Sequence, residues 1–176
     1  VGDNPAVAEV LRDMKQRGVI LDATDYVYVT IERLQAKMGP NGPKGYCDSG
    51  LAEKITAQAH REGVEISVGT DSPSPAGEQY SSVQDEMELL VATAGMTPLE
   101  VIRSATLVGA RAAGQEQQMG TIAPGTLANL VSVSADPSKD ISAMRRITLV
   151  VKRGVAYPRS AYRPLRPDEY KGELEE

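Results

Sequence analysis

The sequence predicts an α/β chain that passes into a short all-β segment. Three observations carry this. Two short apolar runs, Val19–Leu21 and Val64–Gly69, each follow an amphipathic helical stretch and end in polar residues, as buried strands of a parallel sheet do. The turns between helix and strand are short and carry Gly18 and Gly63. From about Gly114 onward, short alternating strands and turns replace the helical periodicity.

Taken in order, Asn4 is placed to cap a first helix, with Pro5 at its first position. Val7, Val10, Leu11 and Met14 form its apolar stripe, and Gly18 stands where a C-terminal cap belongs. Tyr26–Met38 alternates at first, but Val27, Ile31, Leu34 and Met38 make the better helical stripe. Gly39–Gly50, with four Gly and two Pro, reads as a loop. A helix capped by Asp48 or Ser49 follows to about Glu62, its stripe assigned to Leu51, Ile55 and Ala59. Thr70–Ser82 is a loop at the C-terminal end of the second strand. Val83, Met87, Leu90, Val91 and Ala94 mark the next helix, and Asp85, Glu86 and Glu88 suit its positive end. Thr97-Pro98-Leu99-Glu100 is a capping box opening a further helix. Pro124-Gly125 and Asp136-Pro137 are turns, Leu130–Ser134 is a strand, and Ile147–Val151 with Val155–Tyr157 forms a hairpin around Arg153-Gly154. This gives three segments: 1–114, 115–158 and a Pro-containing acidic tail, 159–176.

Composition narrows the function. The chain has 176 residues, one His, one Cys, no Trp and no Phe, so its core is aliphatic. An internal disulfide is excluded, and no self-contained metal site of nitrogen and sulfur ligands can be built from His60 and Cys47 alone. A net charge of −5 without a basic cluster, and only 4% aromatic residues, argue against nucleic-acid binding. No apolar run approaches the ~20 residues of a membrane span.

Asp71, in Gly69-Thr70-Asp71-Ser72-Pro73, is the leading chemical candidate. It stands just past a strand, at the end where α/β folds bind ligands. It could bind a metal or act as a general base, or it could cap the following turn, and spacing alone leans to the cap. Asp22 and Thr24 end the first strand on the same side if the strands are parallel. His60 lies about 180° from Leu51 and about 140° from Ile55 on its helix, so it is expected on the outer surface. Cys47 reads as an incidental thiol.

Three stretches together resemble the amidohydrolase superfamily, in its imidazolonepropionase-like and prolidase-like branch. They are Val64–Asp71, Gly95–Thr106 and Met119–Val131, with Leu149–Tyr157 closing the series. The resemblance implies the C-terminal part of a metal-dependent (β/α)8 TIM barrel. The last two strand–helix units would be present, followed by strands of a small β-sandwich. It implies that Asp71 binds the metal and takes the proton of an attacking water. The cofactor would be a divalent metal, zinc being expected, and the partner a small-molecule substrate containing a C–N bond. The family's His ligands and often a Lys lie on earlier strands, so the missing N-terminal part of the barrel would supply them, and the chain alone would be inactive. The start at Val1 agrees with a longer enzyme, and the unpaired strand edges favour association, including a homo-oligomer. The family's usual sandwich Asp is replaced by Asn129. Action on a lactone or phosphotriester, deamination, and a non-catalytic half-barrel that binds a partner are the alternatives. The sequence leaves the compartment open.

Overall fold

The computed structural model describes residues 3–41, 49–71 and 82–161. Helix α1 (Pro5–Arg17) opens with the Asn4 side chain accepting from the Ala6 N–H, and closes on Gly18 at φ 66°. Strand β1 (Ile20–Ala23) follows, then α2 (Asp25–Met38), α3 (Ser49–Glu62) and β2 (Glu65–Val68). The ambiguous Tyr26–Met38 stretch is thus helical, with Val27 and Leu34 buried. Strands β1 and β2 pair in parallel, with Asp22 opposite Ser67 and Ala23 opposite Val68.

Alternation along these strands separates two faces. Ala23, Ile66, Leu21 and Val68 join one aliphatic core with Leu11 of α1, Ala57 and Ala59 of α3, and Met87 and Leu90 of α4 (Val83–Thr93). Asp22, Ser67 and Gly69 belong to the opposite face. The core contains no aromatic side chain, as the composition requires.

Helix α4 starts with a capping box in which Ser82 and Asp85 bond reciprocally. A second box, Thr97 with Glu100, starts α5 (Pro98–Arg103). This helix widens into a π-helical turn over Ser104–Val108 and ends as α6 (Gly109–Ala112). Beyond it, β3 (Leu130–Val133), β4 (Ile147–Lys152) and β5 (Val155–Pro158) form an antiparallel sheet in that order. Arg153 and Gly154, at φ 49° and 82°, make the two-residue turn between β4 and β5. Asn129 Oδ1 accepts from the Arg153 N–H at 2.9 Å, so its amide ties this turn.

Of the stripe assigned to α3, Ala59 is buried and Ile55 half-buried, but Leu51 is corrected. Leu51 is 47% exposed, while Ala52, Thr56, Ala57, Gln58 and Ala59 are buried. Ala and Thr face the neighbouring helices α1 and α2, and Gln58 is held there by hydrogen bonds to the Asn4 backbone. The shift in phase also moves His60. It is half-buried, with Nδ1 3.2 Å from the Ala94 carbonyl oxygen and Nε2 3.4 Å from Glu100 Oε1. The lone histidine is therefore a tie between the end of α3 and the α4–α5 connection, not a free surface group.

Candidate active site

The site is built on the C-terminal ends of the paired strands. The ladder extends one residue past β2, where the Gly69 N–H donates to the Ala23 carbonyl at 2.8 Å. On the polar face, Asp22 Oδ1 accepts from Ser67 Oγ at 2.6 Å. A Cβ on Gly69 would lie 2.6 Å from Asp22 Oδ2 and 2.8 Å from Thr24 Cγ2. Only glycine lets the end of β1 close over β2 in this way.

Two residues further on, Asp71 is exposed and holds φ at 36°, a left-handed conformation that costs a non-glycine residue energy. Asp is among the few residues that adopt it readily. The fold thus places Asp22, Thr24, Ser67 and Gly69 together, with Asp71 leaving the same strand end. It does not bring His60 there, because α3 leads into the opposite end of β2. Cys47, Ser72 and Pro73 lie outside the described residues.

Three acidic residues at the start of α4 divide their work. Asp85 and Glu88 both bind the Arg145 guanidinium at 2.6 Å. Burial alone would raise the Asp85 carboxyl, but Arg145 and the Ser82 N–H and hydroxyl outweigh it and hold it below its ordinary value. Glu86 was expected only to favour the helix start. It is instead fully buried, accepting from the Asp25 N–H at 3.1 Å and the Tyr26 N–H at 2.7 Å. Burial pushes its carboxyl up to about 7, against those two hydrogen bonds and with the charges of Asp25 and Asp22 adding to the rise. The signal was present in the sequence, since Glu86 precedes Leu90 by one helical turn and so falls on the apolar stripe. Asp25 is also buried and its carboxyl is raised by burial, opposed by the Thr56 hydroxyl.

Among the described residues, no group of three or more His, Cys, Asp or Glu side chains could hold a metal ion. Asp71 is a hard oxygen donor suited to a divalent cation, but it fits as one ligand of a site, not as a site. Among the described residues, no helix is long and apolar enough to cross a membrane.

Parallel strands whose apolar face packs on helices, with an acidic residue leaving the second strand, describe an α/β scaffold with a polar strand end. The chain belongs to the amidohydrolase family, which it matches over residues 4–157. Among curated relatives, ochratoxinase of Aspergillus niger is 27% identical over 158 residues, covering 83% of this chain and 31% of that protein. The crystal structure of A. niger ochratoxinase superposes with a TM-score of 0.68 at 28% identity, covering 85% of this chain and 34% of that one. A Xaa-Pro dipeptidase crystallised with methionine in its active site gives a TM-score of 0.75 at 25% identity, covering 85% of this chain and 37% of that one. A putative prolidase from Bifidobacterium longum gives 0.65 at 27%, covering 83% and 37%. The chain thus spans about a third of the length of these relatives.

Proposed function

We propose that the protein carrying this chain hydrolyses a C–N bond of an amide, such as a dipeptide, a cyclic amide or an N-acyl amino acid. In this reading β1 and β2 are the last two strands of a (β/α)8 barrel within residues 1–114. The β3–β5 sheet belongs to a small sandwich over 115–158, and the barrel's other strands complete the site. The observation that carries the reading is Asp71, leaving the C-terminal end of the second parallel strand of an amidohydrolase-family chain. The Xaa-Pro dipeptidase and the prolidase among the relatives support a substrate with a peptide-like C–N bond.

Asp71 would supply one carboxylate ligand to a divalent metal, zinc being expected. When bound, such an ion lowers the pKa of a coordinated water toward neutrality. The Asp71 carboxylate oxygen accepts the proton of the attacking water and returns it to the leaving nitrogen, as a general base that becomes a general acid. Gly69 lets the Asp22–Thr24 corner close over the strand end, and Asp22, held by Ser67, lines the polar face beside it. This chain alone is inactive, since one carboxylate does not make the site. The test is amide hydrolysis by the whole protein with Asp71 replaced by Asn.

A further inference from the structure

Helix α2 begins without a local cap. Thr24 occupies its N-cap position at φ −135° and ψ 41°, and makes no side-chain capping hydrogen bond. The first N–H groups of any helix have no partner within it, and near a protein core they need one. Here the partner comes from 61 positions away. Glu86, 0% exposed, gives one carboxylate oxygen to the Asp25 N–H and the other to the Tyr26 N–H. Negative charge at this helix end is also favoured by the helix dipole.

The location gives this long-range cap its meaning. Asp25 directly follows the Asp22–Thr24 corner that closes over Gly69, and Glu86 stands in the first turns of α4, after the segment that Asp71 opens. One carboxylate therefore joins the structure that follows β1 to the structure that follows β2. Its own base is rigid, because the Ser82–Asp85 box and Arg145, which bridges Asp85 and Glu88, fix the start of α4.

The geometry points to Glu86 as a positioning residue: its carboxylate, in place of a local cap on α2, holds the Asp22–Thr24 corner against Gly69 and so sets the strand-end site from which Asp71 projects. This rests on the assignment of the active site to that strand end.

The surroundings of Glu86 make the clamp sensitive to protonation. Asp25 of α2 and Asp22 of β1 face it as like charges. Thr56 of α3 bonds Asp25, and Glu53 of the same helix lies close enough to Asp25 for the two charges to interact. Ser67 of β2 holds Asp22. Asp85 and Glu88 are occupied by Arg145 of the turn Ile141–Arg145, and Glu100 of α5 binds Thr97 and His60. Asp25 Oδ2 is buried and makes no hydrogen bond. None of these partners is a cation bonded to Glu86, so the two N–H groups are what favours its charged form.

The test is amide hydrogen exchange and a ¹⁵N pH titration of the whole protein that carries this chain. In Glu86→Ala, the Asp25 and Tyr26 amides should exchange on the order of tenfold faster, the scale of losing a helix cap, and the Gly69 amide, bonded to Ala23, should accelerate with them. In the wild type, the Tyr26, Gly69 and Thr70 amide shifts should share one titration midpoint above the ordinary Glu range, and Glu86→Gln should remove that shared step, leaving only the local titration of the Asp25 carboxyl. Should Glu86→Ala not fold, the Glu86→Gln titration alone decides. Unchanged α2 amides overturn the proposal. So does a response confined to α2 with Gly69 and Thr70 silent, which would make Glu86 a cap and nothing more. Failure of the Asp71 assignment would leave these amides as expected and would appear only as activity retained by Asp71→Asn.

Discussion

Gly69 and Asp22 approach so closely that a Cβ on Gly69 would stand 2.6 Å from Asp22 Oδ2. A contact below 3 Å is far inside normal van der Waals separation, so something must move. Gly69→Ala should therefore cost about 1–3 kcal/mol, the range for overpacking. Adding Asp22→Ala should make the double variant more stable than the sum of the single losses, because neighbours that share a clash are not additive. Urea denaturation of the four proteins checks this.

Glu86 sets a pH dependence of stability whose sign follows from its surroundings. Its carboxyl is raised from 4.5 to about 7 in the folded chain, so between those values the folded state binds the proton that the unfolded state has lost. Stability should therefore fall as pH rises from about 4.5 to about 7 and level off above. Asp25, raised by burial, acts in the same direction. Glu86→Gln should reduce the slope without removing it. Urea midpoints at three pH values across the window measure the effect, and an unchanged slope would contradict it.

Asp85 and Glu100 act in the opposite direction. Asp85 is lowered by Arg145 and Ser82 despite burial, and Glu100 is lowered chiefly by the Thr97 N–H and hydroxyl. Their contributions should be present above the ordinary carboxylate range and lost as pH falls below it. Thr97→Ala should lower stability by about 1 kcal/mol, the usual scale for a cap, and weaken this acid-side loss. Thermal melts at about pH 3 and about pH 6 compare the two.

His60 is expected to matter for stability and not for chemistry. Its ring bonds the Ala94 carbonyl oxygen and reaches Glu100, at the end of the fold away from Asp71. His60→Ala should cost about 1 kcal/mol, the net scale of a hydrogen bond lost at a half-buried position. Chemical denaturation reads it directly. The sequence placed His60 on the outer surface, because its angle was measured from Leu51 and Ile55.

That error shows what a sequence reveals and what it hides. The helix caps at Asn4 and Thr97, the parallel strand pair and the Arg153-Gly154 hairpin follow from local rules of spacing and turn chemistry, and they were legible. The phase of α3 was not, because it buries Ala and Thr against neighbours and leaves Leu51 exposed. The Glu86 cap spans 60 and 61 positions, so no local pattern names its partners. Asp71 could be singled out by its place after a strand and by resemblance. The closeness of Asp22 to Gly69 needed the register of the two strands, which only the fold supplies.

The central claim is that Asp71 is the carboxylate that moves the proton in C–N bond hydrolysis. Asn is nearly isosteric with Asp and also tolerates the left-handed backbone that Asp71 adopts at φ 36°, so Asp71→Asn removes the base while keeping the local fold. The direct measurement is kcat of the whole protein and of this variant on a panel of Xaa-Pro dipeptides and N-acyl amino acids, with matched melting curves. The account predicts a fall of about 10²–10⁴-fold at unchanged stability, the usual weight of a general acid–base. Turnover within a few-fold of the wild type, in a folded variant, would contradict it.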